Sequence, residues 1–136
     1  MNTPDFILVG PLQTGTTSLW NALAEHPELA PAQVRKELLY FNQRPYFMDW
    51  DLSEYAEFFE SVPEGKKSFE ATPHYFSSAL ARVRIRLSLP ETKIVVTLRN
   101  PVKRCLSHIY VNRAANLISE DPLKREKFFE LNTWAS

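Results

Sequence analysis

The sequence Asp5–His26 reads DFILVGPLQTGTTSLWNALAEH, and this stretch decides the fold class. Its beginning, Phe6–Val9, is a short continuous apolar run with β-branched residues, which predicts a buried strand. Towards its end, Leu19, Trp20 and Leu23 follow at helical spacing, which predicts an amphipathic helix. A tight loop joins the two. The stretch therefore predicts a strand, a loop and a helix in that order.

The loop between Gly10 and Thr17 is typical of a phosphate-binding site. A loop with glycines near its ends that opens onto a helix directs backbone N–H groups and the positive end of the helix dipole to one place. The pattern is close to G-x-x-x-x-G-K-[ST], but Thr16 stands where that pattern has its lysine, which disfavours an ordinary ATPase or GTPase. Taken alone, the two glycines are equally compatible with an anion site and with a structural turn.

Composition predicts one ordinary globular domain, residues 1–136, because 44% of the residues are hydrophobic and can build a core. Sixteen basic and sixteen acidic residues balance, so the overall charge indicates neither nucleic acid nor a membrane surface as a partner. The single cysteine, Cys105, excludes an internal disulfide and a cysteine-based metal site. The first apolar run is too short for a signal peptide or a membrane span. We therefore expect a soluble, cytoplasmic protein without a metal.

A second strand and loop point to a parallel sheet. Lys93–Leu98 is the strongest predicted strand, because it is apolar, β-branched and unbroken. Arg99 follows at its end, and a helical pattern runs from Val102 to Asn116. Two such units predict an α/β fold in three layers, with buried parallel strands between helices. Ligands of such sheets bind beyond the carboxyl ends of the strands, where both loops would lie.

Shorter elements are predicted between these two units. His26–Pro31 is punctuated by prolines and predicts a connection, whereas Leu52–Phe59 predicts a short helix with Ser53 as its N-cap. Lys67 begins a brief strand that ends in a turn. A final helix is predicted for residues 123–131.

Another helix is predicted to begin after Ser77 or Ser78, one of which is its N-cap. Its apolar side carries Leu80, Val83 and Leu87, and its mostly exposed side carries Arg82, Arg84 and Arg86.

Arg99, Arg104 and Ser107 form a second group of candidate ligand-binding residues. An arginine at the carboxyl end of a strand offers a rigid planar fork for a phosphate, and Ser107 in the next helix adds a hydroxyl donor. Taken alone, Arg-Asn-Pro is equally compatible with a phosphate-binding site and with a capped turn that binds no ligand. Together with a glycine loop after another strand, it implies a ligand with phosphate groups at two separate places.

Four motifs in order resemble those of sulfotransferases. GPLQTGTTSL at 10–19 is similar to their 5′-phosphosulfate loop, and LRNPVKRCLSHIY at 98–110 to their 3′-phosphate motif R-[ND]-P-x-x-R-x-x-S-x-Y. KELLYF at 36–41 and FEATPHYF at 69–76 resemble the K-E-x-x-[YF]-F and E-K-[ST]-P-x-Y-F segments of heparan-sulfate-type sulfotransferases and their bacterial relatives. The chain is thereby identified as the N-terminal portion of such a domain, with a P-loop-type sheet that is incomplete at its C-terminus.

The resemblance implies transfer of a sulfuryl group from 3′-phosphoadenosine 5′-phosphosulfate to a hydroxyl or amine of a small-molecule or carbohydrate acceptor. Glu37 matches the general base that takes the proton of the acceptor. Without the motif, a surface ion pair with Lys36 would be the simpler interpretation of Glu37. By the same match, the donor would be bound by Gly10, Gln13, Thr14, Gly15, Thr16, Thr17, Arg99 and Ser107.

Two positions depart from the family pattern. Lysine is usual where this chain has Gln13, and a second lysine commonly stands where this chain has Ala71. Both lysines neutralise charge during transfer, and the loss of one preorganised donor typically lowers a rate by about 10²–10³. The alternative is therefore a catalytically impaired, nucleotide-binding remnant or fragment. A kinase or NTPase is disfavoured by Thr16 and by the lack of an acidic Mg²⁺ ligand after Leu98.

The acceptor and the oligomeric state stay open. Aromatic residues such as Tyr40, Phe41 and Tyr75 could line a cleft for a sugar or an apolar alcohol, or could pack in the core. His74 follows the Thr72-Pro73 turn and is a candidate for a place near the active site.

Overall fold

The fold is seen in a computed structural model that describes residues 2–33, 36–43 and 52–114. The helix predicted for 123–131 lies outside these residues. The elements, in chain order, are β1 (Phe6–Val9), α1 (Thr16–Ala24), β2 (Leu29–Pro31), α2 (Tyr40–Gln43), α3 (Ser53–Glu57), β3 (Lys67–Ala71), a 3₁₀ turn (Pro73–Tyr75), α4 (Ala79–Ser88), β4 (Lys93–Val96) and α5 (Pro101–Ala114).

The four strands form one parallel sheet in the order β2-β3-β1-β4, which confirms the predicted α/β fold. Strand β1 lies between β3 and β4, with Phe6 aligned to Phe69 on one side and to Lys93 on the other. The interpretation of 26–31 as a connection is wrong, because Leu29–Pro31 pairs with β3. Pro31 is tolerated there because β2 is an edge strand, where one side of the backbone needs no partner.

Helices lie on both faces of the sheet. Ile7 and Val9 belong to a buried cluster with residues of α2, α3 and α4. Side chains alternate along a strand, so Leu8 points to the opposite face, where α1 contacts β1. Aromatic side chains form much of this cluster, and the ring centre of Phe41 lies 5.0 Å from that of Tyr55 and 5.6 Å from that of Tyr75. The cleft candidates Tyr40, Phe41 and Tyr75 are thus buried core residues, and Tyr75 also borders an open groove beside β4.

The predicted orientation of α4 is wrong. Leu87 is 77% exposed, and the buried positions of the helix are Ala81, Arg84 and Ile85. Arg84 is buried because its Nη1 donates to the carbonyl oxygen of Phe41 at 2.9 Å. Carbonyl groups at the end of a helix lack partners within the helix, and the guanidinium supplies one for the short helix α2.

The two predicted helix caps have different outcomes. Ser78 is the N-cap of α4, since its Oγ accepts a hydrogen bond from the N–H of Ala81 at 3.1 Å. Ser53 is not the cap of α3, because it is the first helical residue and Leu52 precedes it in the cap position without a side-chain hydrogen bond.

Strand β4 is exposed, although the sequence predicts a buried strand. All four side chains from Lys93 to Val96 are exposed, and the sheet carries no further described strand beside it. An open apolar groove of about 730 Å³ lies between β4 and α4, lined by Ile85, Leu89 and Ile94 among others. Apolar side chains of α5, such as Leu106, are exposed as well. The buried core therefore ends at β1.

Candidate functional site

The glycine loop closes against the residue that follows β4. Thr14 Oγ1 donates to the Pro11 carbonyl oxygen at 2.7 Å and lies 2.9 Å from Thr97 Oγ1. A β-carbon on Gly10 would lie 2.6 Å from the Thr97 carbonyl oxygen and 2.8 Å from Thr14 Oγ1, so only glycine fits. The Thr14 hydroxyl is thus used to shape the loop, which leaves its N–H as the group that can face a ligand.

Helix α1 begins directly behind the loop. Gly15 precedes it with φ of 91°, a left-handed conformation that favours glycine. The first turn, Thr16 to Leu19, contains no acidic residue. The N–H groups of this turn and the helix dipole therefore favour an anion at the loop.

Arg99 and Ser107 lie on one side of the loop. Arg99 Nη1 donates to the carbonyl oxygen of Gln13 at 3.1 Å, and Ser107 Oγ donates to Gln13 Oε1 at 3.4 Å. Asn100 Oδ1 accepts hydrogen bonds from two N–H groups in the first turn of α5, at 3.1 and 3.2 Å. Arg-Asn-Pro is thus a capped turn, and the cap also fixes the strand end from which Arg99 reaches the loop. Arg104 is half-buried in α5.

Lys36 and Glu37 approach the loop at another point. The N–H of Glu37 donates to the carbonyl oxygen of Ala71 at 2.8 Å, which places this segment beside the end of β3. Lys36 Nζ donates to Glu37 Oε1 at 2.9 Å and to Thr17 Oγ1 at 2.8 Å. The ion pair between Lys36 and Glu37 is therefore present, and it lies beside the glycine loop.

Backbone strain is concentrated in the same region. Among the described residues, the non-glycine positions with positive φ are Gln13 at 68°, Glu37 at 66° and Leu39 at 57°. Such conformations cost on the order of 1–3 kcal/mol each and persist only where surrounding contacts hold them. Because Gln13 and Glu37 were both selected from the sequence as site residues, the strain marks the same place independently.

His74 lies beside Glu37, as the sequence predicts for a residue near the site. The distance from His74 Nδ1 to Glu37 Oε2 is 3.9 Å, which is too long for a hydrogen bond. This nitrogen is shielded from solvent and has no hydrogen-bond partner within the described residues. The imidazole therefore lies next to the Glu37 carboxylate without a hydrogen bond to it.

Glu70 is a buried acid beneath the site, to which the sequence analysis assigned no role of its own. Tyr55 donates to its Oε1 at 2.6 Å and Thr72 Oγ1 to its Oε2 at 2.8 Å. Burial raises the pKa of Glu70 from about 4.5 to about 7, and hydrogen bonds from Tyr55, Thr72 and Tyr75 offset part of the shift. The pKa values of Tyr55 and Tyr75 are raised first by burial and then by the neighbouring Glu70 charge. The sequence gives little signal of this network, because β3 reads KSFEA and its polar residues do not indicate that Glu70 is buried.

The structure brings the predicted residues into one region at the carboxyl ends of β1, β3 and β4. In the described part of the chain, no group of three or more His, Cys, Asp or Glu side chains could hold a metal ion. None of the described helices has the length and apolarity to cross a membrane. The residues brought together are Gly10, Gln13, Thr14, Gly15, Thr16, Thr17, Glu37, Arg99 and Ser107.

A family of sequences shares this pattern. The family model described as "Sulfotransferase domain" matches residues 3–134. Bifunctional heparan sulfate N-deacetylase/N-sulfotransferase 1 of Xenopus tropicalis is 32% identical over 136 residues, which cover 93% of this chain and 14% of that protein. Membrane-associated sulfotransferase kil1 of Dictyostelium discoideum is 36% identical over 113 residues, covering 79% of this chain and 22% of that protein. The chain thus spans less than a quarter of the length of these relatives.

A solved structure has the same architecture. The crystal structure of a sulfotransferase from Alicyclobacillus acidocaldarius superposes with a TM-score of 0.75 at 25% identity, covering 93% of this chain and 56% of that chain. One relative is described as membrane-associated, so the comparisons lend no support to the predicted cytoplasmic location, which stays a prediction.

Proposed function

Because the chain belongs to the sulfotransferase domain family, we propose that it transfers a sulfuryl group from 3′-phosphoadenosine 5′-phosphosulfate to a hydroxyl or amine. The observation that carries the proposal is the convergence of three segments on one loop. Lys36 reaches it at Thr17 and holds Glu37 beside it, whereas Arg99 and Ser107 reach it at Gln13.

The donor has an anionic group at each end, and the site offers two matching regions. The N–H groups of the loop and of the first turn of α1 suit the 5′-phosphosulfate. The guanidinium of Arg99 and the hydroxyl of Ser107 suit the 3′-phosphate. Both side chains now contact Gln13, at 3.1 and 3.4 Å, and a phosphate could take the place of those contacts because a charged acceptor binds a guanidinium more strongly than a neutral one does.

Glu37 is positioned to act as the general base. Its carboxylate is 36% exposed, so an acceptor can reach it, and Oε1 is held by Lys36. As the acceptor oxygen or nitrogen attacks sulfur, its proton passes to Glu37. The bond from sulfur to the 5′-phosphate oxygen breaks, and its electron pair stays on that oxygen.

The acceptor is proposed by class only. One relative, the Xenopus tropicalis enzyme, acts by its name on heparan sulfate, and we propose a carbohydrate or another small molecule with a free hydroxyl or amine for this chain. Its buried aromatic residues take no part in this proposal, because they form the core.

A catalytically impaired nucleotide-binding remnant is the second candidate. The observation that favours it is the absence of a lysine side chain at Gln13 and Ala71. Such a chain would bind the nucleotide without transferring the sulfuryl group. A nucleotide-hydrolysing enzyme is disfavoured by the family match over residues 3–134.

Calorimetric titration with the product nucleotide, 3′-phosphoadenosine 5′-phosphate, tests the donor site. We expect binding of this nucleotide and much weaker binding of ATP, which has no 3′-phosphate. Arg99→Met should weaken binding by about 10- to 100-fold, because a hydrogen bond to a charged group contributes about 1.5–3 kcal/mol. The exposed Arg86 on α4 gives the matched control, Arg86→Met, which should bind normally.

Equal affinity for ATP and the product nucleotide, or unchanged binding by Arg99→Met, would overturn the proposed donor site. Binding with no transfer of labelled sulfuryl group to a panel of sugar and amine acceptors would favour the remnant.

A further inference from the structure

Lys36 places an ammonium group between the phosphate loop and the candidate base. Its Nζ donates to Thr17 Oγ1 at 2.8 Å and to Glu37 Oε1 at 2.9 Å. Its side chain is only 17% exposed, whereas lysine side chains usually extend into solvent. The ammonium is therefore held at the loop before any ligand arrives.

The backbone explains why two adjacent side chains reach the same place. In an extended chain, neighbouring side chains point to opposite sides. Glu37 departs from an extended conformation with φ of 66°, and its N–H is fastened to Ala71. The turn at Glu37 thus allows the Glu37 carboxylate to reach the Lys36 ammonium, which in turn donates to Thr17.

The transfer reaction requires positive charge at this point. When the bond between sulfur and the 5′-phosphate oxygen breaks, negative charge develops on that oxygen, and a fixed positive group stabilises it. Gln13 provides no charge, and its Oε1 already accepts a hydrogen bond from Ser107. Ala71 contributes only its carbonyl oxygen, which accepts the N–H of Glu37.

We propose that Lys36 supplies the cation that neither Gln13 nor Ala71 provides, by binding the 5′-phosphosulfate at Thr17 and stabilising the leaving phosphate oxygen. The inference rests on the proposed function and adds a residue to it. Lys36 keeps its protons throughout and acts by its charge. The acceptor proton goes to Glu37, and the electron pair of the broken bond goes to the oxygen of the 5′-phosphate.

Other basic groups near the loop occupy different places. Arg99 contacts the backbone of Gln13 and is assigned to the 3′-phosphate. His74 lies 3.9 Å from Glu37 on the carboxylate oxygen that Lys36 does not hold. Among the described contacts, Lys36 is the cation that hydrogen-bonds a hydroxyl in the first turn of α1.

Two nucleotides distinguish a role at the 5′-phosphate from a general loss of binding. Lys36→Met should weaken binding of 3′-phosphoadenosine 5′-phosphate by about 10- to 100-fold, the effect expected for one charged hydrogen bond. Binding of adenosine 3′-phosphate, which has no 5′-phosphate, should not change. Lys66→Met, at an exposed lysine, is the matched control and should bind both nucleotides normally.

The kinetic test uses rescue. Lys36→Met should lower kcat for sulfuryl transfer by about 10²–10³, the effect of removing one preorganised donor, whereas Lys36→Arg should retain most of the rate. Adding Gln13→Lys to Lys36→Met should restore much of kcat, because it puts a cation back at the loop. The same Gln13→Lys change in the wild-type chain should raise kcat by a smaller factor. Such non-additivity would show that both positions supply the same positive charge.

Unchanged product-nucleotide binding and unchanged kcat in Lys36→Met would overturn the inference while the proposed function stands. Equal weakening of both nucleotides would also overturn it, since the lysine would then act on the fold of the site. If the wild-type chain binds neither nucleotide, the proposed function fails, and the inference fails with it.

Discussion

The two sides of strand β1 differ sharply in how well they are covered. Towards β3, the side chains are buried on both faces, and Glu70 forms a hydrogen-bonded network within that core. Towards β4, every strand side chain is exposed and an apolar groove opens. Glu37 is fastened to the end of β3, and Arg99 follows β4. The candidate site therefore lies between two regions. The buried region beside β3 holds the candidate base, and the exposed region beside β4 holds Arg99, which is proposed to bind the 3′-phosphate.

The largest expected difference comes from two isoleucines that are aligned on neighbouring strands. Ile7 on β1 is fully buried, and its register partner Ile94 on β4 is 47% exposed. Ile7→Ala should lower the free energy of unfolding by about 2–5 kcal/mol, because it leaves a cavity. Ile94→Ala should lower it by less than about 1 kcal/mol, as for most surface changes. Urea denaturation of both variants measures the contrast, and equal losses would show that β4 is covered in solution.

The next largest effect is a pH dependence of stability caused by Glu70. Its pKa is raised by burial from about 4.5 to about 7, so the folded state favours the protonated acid. The resulting stabilisation is complete below about pH 4.5 and is lost as the pH rises through about 7. The loss amounts to up to about 3 kcal/mol, since one pKa unit corresponds to about 1.4 kcal/mol.

Denaturation between pH 5 and 8 tests this assignment. Wild-type stability should fall over that range, and Glu70→Gln should lack most of the fall because its amide does not ionise. Glu60→Gln, at an exposed glutamate, should keep the wild-type profile. A Glu70→Gln profile parallel to the wild type would assign the pH dependence to another group.

The smallest effect concerns two arginines on α4, the helix that borders both regions. Arg84→Met should destabilise the chain by about 1–3 kcal/mol, because it removes the buried hydrogen bond from the guanidinium to the carbonyl oxygen of Phe41. Arg86→Met, on the exposed side, should change stability by no more than about 0.5 kcal/mol. Thermal unfolding of the two variants measures these changes in stability. An Arg84→Met variant as stable as the wild type would mean that water replaces the guanidinium.

Much of the site could be predicted because its signals are local. The strand, glycine loop and helix follow from apolar runs, helical spacing and the conformational freedom of glycine. The four motifs then indicated the family and selected Glu37, Arg99 and Ser107, which the structure brings to one loop. Their roles in binding and transfer stay predictions.

The remaining features depend on residues that are distant in the chain. Strand β2 forms because its backbone pairs with the edge of β3. The prolines in this segment favour a loop when the sequence is considered alone, so the strand was not predicted. Arg84 is buried where its guanidinium donates to the carbonyl oxygen of Phe41 in α2, and the spacing of residues within α4 does not predict that contact. For the same reason, the exposure of β4 could not be predicted from its apolar composition.

The sequence by itself determined the α/β class, the glycine loop between strand and helix, and the family, because periodicity, glycine positions and motifs are properties of neighbouring residues. Only the tertiary structure decided that Lys36 reaches Thr17 and that the Glu70 carboxyl is buried enough to raise its pKa to about 7. Both results depend on distance through space and on exclusion of water, since electrostatic and desolvation energies arise from the groups that folding brings together.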